Sequence, residues 1–170
     1  ISSYLVVRHL RSESSSHVLH FRDGRLVRSG RGLSYWFLPM SASIAEVPMD
    51  DRELTLSLTA RSADFQDVSV QGVVGWRVVD PVALADRVDF GIDTRRGVHL
   101  RQPLDAIAQK LSQLAQQHAA DWVAQRALRV VLREGAPEIR DRVRRELENE
   151  GSLVELGLAV TGVRIALVAP

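Results

Sequence analysis

Residues 52–81 read RELTLSLTARSADFQDVSVQGVVGWRVVDP, and this stretch decides the fold. Leu54, Leu56, Leu58 and Ala60 alternate with Glu53, Thr55, Ser57, Thr59 and Arg61, the period-2 pattern of a strand with one apolar and one polar face. Residues 62–67 hold a turn. Beyond it Val68, Val70, Val74, Trp76 and Val78 share a face, with Gly72 between them, while Ser69, Gln71, Val73, Gly75, Arg77 and Val79 take the other. The two runs predict a long antiparallel hairpin covering one side of a core. Asp80-Pro81 then stops the strand and starts a helix, because Asp caps and Pro at the first helical position sacrifices no hydrogen bond.

Upstream the chain is also strand-rich. Tyr4–His9 and Val18–Phe21 are predicted as short strands separated by a polar linker at Ser12–Ser16. Asp23-Gly24 between apolar runs is a hairpin signal, since a type I′ turn needs positive φ at both central positions. Ser29-Gly30-Arg31-Gly32 forms a second turn leading into Tyr35-Trp36-Phe37-Leu38-Pro39-Met40. Alternation there puts Trp36 and Leu38 on one face and Tyr35 and Phe37 on the other, so both faces are apolar. The segment is either buried on both sides or exposes one edge to a membrane surface or a partner.

Downstream the period changes to that of helices. Val82, Leu84, Ala85 and Val88 fill about two turns, and Asp93–Gly97 is expected to form a small hairpin or ordered loop. From Gln102-Pro103, Leu104, Ile107, Ala108, Leu111, Leu114, Ala115 and His118 recur at three- and four-residue steps. A second helical stretch carries Trp122, Val123, Ala127, Leu128, Val130 and Val131 and is expected to end near Gly135. Pro137 is expected to open a third helix with a thin stripe of Ile139, Val143 and Leu147, ended by Gly151. Its remaining faces are charged, with Glu138/Arg142, Asp141/Arg145, Arg142/Glu146 and Arg144/Glu148 at helical pair spacing, each pair worth about 0.2–0.5 kcal/mol. Gly157–Val168 alternates as a last strand, slipping one register at Thr161-Gly162. The fold class is therefore α+β: a strand-rich part over about 3–80, a helical part over about 81–151 and a final strand over about 157–168, in one domain spanning 1–170.

Composition removes several functions. The 170 residues hold 22 basic and 21 acidic side chains and no cysteine. Near-neutrality argues against a polycation that neutralises many phosphates, and no nucleic-acid partner is expected. Absent thiols exclude a disulfide framework, thiolate metal sites and a cysteine nucleophile. The longest apolar run is Ile165–Ala169, far short of the ~20 residues that span a bilayer. All basic residues but Lys110 are Arg, a residue suited to bidentate ion pairs between elements or subunits. The chain begins Ile1-Ser2-Ser3, without Met or a signal-peptide pattern, and is expected to be a part of a longer protein.

A search for catalytic chemistry yields little. His17 and His20 lie three apart on a strand and so face opposite ways, unable to chelate one metal. His118 falls on the apolar stripe of its helix. No Gly-x-Ser-x-Gly elbow occurs, and Gly30-Arg31-Gly32 lacks both the third Gly and the following helix of a phosphate loop. Asp64 and Asp67 flank a turn, where Asp supports tight backbone geometry. No enzyme, cofactor or metal is expected, although a site assembled from residues distant in sequence is the alternative.

Four stretches together carry a family resemblance. They are Phe21-Arg22-Asp23-Gly24 through Leu38-Pro39; Asp67-Val68-Ser69-Val70 with Trp76-Arg77-Val78-Val79-Asp80-Pro81; Leu128 followed by Ile139 to Leu147; and Gly157-Leu158-Ala159-Val160-Thr161-Gly162-Val163-Arg164-Ile165. In order and spacing the chain resembles the SPFH (band 7, PHB) domain of stomatins, prohibitins, flotillins and the bacterial HflK/HflC-type proteins. The segment Phe90–Pro103 is longer than the family's usual link, and Ala166 stands where an acidic residue is common. The resemblance implies a non-enzymatic scaffold that self-associates at the cytoplasmic face of membranes and organises microdomains or membrane protein complexes such as proteases, the domain itself being soluble. A shell module of vault-shoulder type, similar in fold and without membrane binding, is the second implied role. Tyr35, Trp36, Phe37, Leu38 and Met40 are the candidate membrane or partner contact. Arg140, Arg144, Arg145, Glu146 and Glu148 are the candidate contact between copies.

Overall fold

The computed structural model describes residues 8–11, 15–37, 42–88, 91 and 103–170. Eight strands and four helices follow in the order β1 (Arg8–Arg11), β2 (Ser16–Arg22), β3 (Arg25–Arg31), β4 (Ser34–Phe37), β5 (Ala42–Pro48), β6 (Arg52–Arg61), β7 (Asp67–Val78), α1 (Pro81–Arg87), α2 (Pro103–Ala124), α3 (Leu128–Glu148), α4 (Gly151–Glu155) and β8 (Leu158–Ala169). This is the α+β architecture predicted, with antiparallel strands first, helices in the middle and a final strand. The chain forms two compact units, and they do not follow the sequential halves: one comprises residues 1–50 and 78–103, the other 51–77 and 104–170.

In the first unit β2 is the centre of a three-stranded sheet, flanked by β3 and β5, and β1 pairs antiparallel with β4. The β2–β3 connection is the two-residue turn the sequence demands: Asp23 has φ 50° and Gly24 φ 78°, with Arg22 opposite Arg25. Positive φ at both central residues matches the twist of the flanking strands. Val18, Leu19, Ile44 and Val47 are buried, each contributing about 1.5–3 kcal/mol by leaving water. Helix α1 packs on β5. Its start is capped as predicted, Ala83 N–H donating to Asp80 Oδ1 at 3.1 Å with Pro81 in the first turn. Residues 93–97, expected as a hairpin or loop, lie outside the described residues, as do residues 4–7 of the first predicted strand.

In the second unit β7 lies between β6 and β8. The β6–β7 pairing runs from Arg52 opposite Trp76 to Arg61 opposite Asp67, and Leu56, Ala60, Val68, Val70, Val74 and Trp76 are buried along its inner face. Glycines allow β8 to come close: a Cβ at Gly72 would meet the Arg164 carbonyl, and one at Gly75 would meet the Thr161 hydroxyl. These approaches run in opposite chain directions, so β8 is antiparallel to β7. Leu158 and Val163 are both buried although five residues apart, which fits the register slip expected at Thr161-Gly162.

The helices differ from expectation in their boundaries. Of the two stretches predicted after Pro103, the second is divided: Trp122 and Val123 belong to α2, whose buried stripe is Ile107, Leu111, Ala115, Ala119, Trp122 and Val123, whereas Leu128, Val130 and Val131 lie in α3. Gly135 does not end a helix and Pro137 does not begin one, because α3 runs unbroken through both. The reason is packing: Val131, Gly135, Ile139, Val143 and Leu147 recur every four residues and are all buried. Along this stripe α3 packs against β8, and Gly135 admits Val168, whose methyl would lie 3.1 Å from a Cβ there. Burial of the stripe outweighs the proline's missing hydrogen bond. Gly151 likewise opens α4 instead of merely ending the preceding helix.

Candidate functional site

Only one edge of α3 is apolar, so most of its circumference faces outward and is charged. Of the residues predicted for contact between copies, Arg144 Nε donates to Glu148 Oε1 at 2.9 Å and Arg140 Nε to Asp141 Oδ1 at 3.0 Å. The Glu148 carboxylate raises the pKa of Arg144. Glu146 lies 3.4 Å from Arg142 Nε, as its spacing predicted. Arg145 stands exposed in the last turn, where a cation complements the helix dipole. The five predicted residues therefore do lie on one helix, with Arg144, Glu146 and Glu148 engaged in pairs along it and Arg140 paired with its neighbour.

At the start of α3 the structure adds a site residue that sequence alone missed. Ala127 occupies the N-cap position and has no side chain able to cap. The missing acceptor comes from the β6–β7 turn: Leu128 N–H donates to Asp64 Oδ1 at 2.9 Å, and Ser62 Oγ–H donates to the same oxygen. Ala63 N–H donates to the Arg126 carbonyl at 2.8 Å, fixing the turn to the α2–α3 link. Hydrogen bonds from Ser62 and Leu128 lower the Asp64 pKa. The bare N-cap was the one available signal that such a partner was needed. Asp67, the other acid of the turn, lies 3.5 Å from Arg61. The two aspartates thus have separate structural partners.

Phe65 sits at the tip of this turn with φ 62° and is 79% exposed. At the far end of α3, Trp76, Leu111, Glu148, Leu153, Val154 and Leu158 line an open cleft of ≈ 180 Å³. Trp76, Leu111 and Leu153 are buried in its walls and Val154 is exposed at its rim.

The first unit presents a different surface. Arg22, Arg25 and Arg31 are exposed along the β2–β3 hairpin, as are Arg28, Leu26 and Val27. His17 Nε2 lies 2.7 Å from Ser29 Oγ. Burial, and then Arg31, lower the His17 pKa; burial, and then Arg28 and Arg22, lower that of His20. Of the predicted aromatic contact, the backbone of Tyr35, Trp36 and Phe37 forms β4 opposite Leu10, His9 and Arg8. Leu38 and Met40 lie outside the described residues, as do the side chains of the other three. His118 is half-buried on α2, its Nδ1 enclosed without a hydrogen-bond partner.

Among the described residues no group of three or more His, Asp or Glu side chains could hold a metal ion, and no helix is long and apolar enough to cross a membrane. The model of the family described as SPFH domain / Band 7 matches residues 13–170. No curated protein matches the chain.

Proposed function

The chain belongs to the SPFH domain / Band 7 family, and on that premise we propose that it is a non-enzymatic scaffold that associates with copies of itself. The observation that supports this most is the outward face of α3. A helix of 21 residues buries a single four-residue-spaced stripe and offers arginines and glutamates in alternation over the rest. Such a face is self-complementary, because an Arg-rich turn of one copy can meet a Glu-rich turn of another. Contacts of this kind are screened by salt. Size-exclusion chromatography with light scattering on the full-length protein tests the proposal: large assemblies at low salt that loosen in sodium chloride are expected, and a monomer at every salt concentration overturns it.

A second reading places the assembly on a membrane surface, where it would organise lipids or membrane proteins such as proteases. The basic hairpin favours it, since arginines beside the exposed Leu26 and Val27 combine electrostatic attraction to anionic headgroups with apolar contact. The Tyr35–Met40 segment is the second candidate for this contact. Flotation with anionic liposomes should weaken for Arg25→Ser/Arg28→Ser and for Trp36→Ser/Phe37→Ser variants. Flotation by neither the parent nor the variants would favour the soluble shell-type role.

A further inference from the structure

We infer that the second unit carries a plug and a socket at its opposite ends, Phe65 being the plug that fills the Trp76–Leu158 cleft of a neighbouring copy. The inference rests on the self-association proposed above and names its contact. A phenylalanine at φ 62° is held in a region that L-residues avoid and that bulky ones almost never enter. Strain of this sort is retained where surrounding structure imposes it, and commonly marks a functional position. Here the surroundings are Ser62, which accepts from Phe65 N–H at 3.0 Å, and the Asp64 link to α3. Both hold the backbone, yet the ring itself remains 79% exposed. The turn is a rigid mount for an aromatic ring that its own copy leaves in water.

The cleft matches that ring. An apolar cavity of about 150 Å³ accommodates benzene, and this one measures ≈ 180 Å³, its walls mainly apolar with Glu148 among them. Phe65 cannot reach the cleft of its own copy. Plug and socket are separated by the length of α3, about 30 Å for 21 residues, and by the run of β7 from the turn to Trp76. A contact between two different surfaces propagates head to tail, giving a ring where the rotation closes and a filament where it does not.

The test uses the full chain, a Phe65→Gly variant and a Val154→Trp variant, followed by light scattering over a concentration series. Glycine suits the backbone at position 65 and removes the ring. Tryptophan at the exposed rim position 154 obstructs the socket, and Val154→Arg blocks it with charge should the indole disturb α4. Expected is growth of the parent chain beyond the dimer, loss of that growth in each variant alone, and dimers but nothing larger in an equimolar mixture. Only the mixture pairs an intact plug with an intact socket. Unchanged growth of either variant overturns the plug and socket and leaves self-association standing. A mixture that stays monomeric overturns the head-to-tail geometry. A parent chain that is monomeric throughout overturns self-association itself.

Discussion

Replacing Gly72 with alanine should destabilise the second unit far more than the same change ninety positions later at Gly162. Both glycines lie in the β7–β8 pair and neither has positive φ. An added Cβ at Gly162 meets nothing within 4 Å. At Gly72 it would lie 3.2 Å from both the Arg164 carbonyl carbon and Ile165 Cα, and nearer still to the carbonyl oxygen. No rotamer change relieves that clash, because the obstacle is backbone in a hydrogen-bonded strand. The strands must separate or buckle, and overpacking of this kind costs about 1–3 kcal/mol. Lower chain entropy of alanine in the unfolded state returns roughly 0.5–1 kcal/mol, so with the overpacking cost in the upper part of its range, because the obstacle is backbone, the net loss is about 1–2 kcal/mol. For a chain of this length each kcal/mol moves the midpoint by roughly 2–4 °C. Thermal unfolding by circular dichroism should therefore show Gly72→Ala melting about 2–8 °C below the parent by that conversion. Gly162→Ala should melt at or above it. Equal melting temperatures for the two variants would refute the close approach of β8 to Gly72.

Leu147→Ala, at the last buried position of the α3 stripe, should cost about 2–5 kcal/mol in urea unfolding, whereas Leu132→Ala on the exposed side should stay within about 0.5 kcal/mol. Asp64→Ala should lower the melting temperature and speed hydrogen exchange at the Leu128 amide, and Asp64→Asn, which keeps an acceptor, should restore most of both. The histidines give a pH dependence. Burial and neighbouring arginines lower the pKa values of His17 and His20, so below about pH 6.5 the unfolded chain binds protons that the folded chain refuses. Stability should fall as pH drops through 6.5 and level off below the lowered folded values. His17→Gln and His20→Gln should each flatten this slope, and an unchanged slope in both single variants would remove the histidines as its source.

The sequence made the β6–β7 hairpin and the Asp23-Gly24 turn legible because each depends on residues close together. Leu56 and Val70 are buried because their strands alternate with polar neighbours, and a two-residue turn fixes φ through its own residues. The intrahelical pairs Arg142/Glu146 and Arg144/Glu148 were legible for the same reason. Two features were not. The Asp64 cap joins residues 64 positions apart, and nothing local to Asp64 announces a helix that begins at Leu128. Gly135 and Pro137 read locally as breakers, but the helix through them is held by Val168 and by its own four-residue stripe. That stripe crosses Pro137 without a change of phase, which was the one tertiary signal visible in the sequence. The exposure of Phe65 was equally hidden, since apolar residues in tight turns are more often covered.

The two contacts proposed for self-association respond in opposite ways to different salts. The Arg144–Glu148 pair of α3 is exposed and the Arg142–Glu146 pair half-buried, and exposed pairs contribute about 0–1 kcal/mol each. Sodium chloride weakens charge contacts between copies in the same way, because opposing turns beyond about 8 Å are screened at physiological strength. A phenyl ring entering an apolar cleft behaves differently. Sulfate, excluded from protein surface, strengthens burial of apolar groups even while it screens charge. If the α3 face alone joins the copies, sulfate and chloride at equal ionic strength should dissociate the assembly alike. If Phe65 occupies the neighbour's cleft, sulfate should preserve assemblies that chloride loosens, and Phe65→Gly should erase the difference between the salts. Identical dissociation by both salts in the parent chain would assign the contact to charge and leave the cleft without a role in assembly.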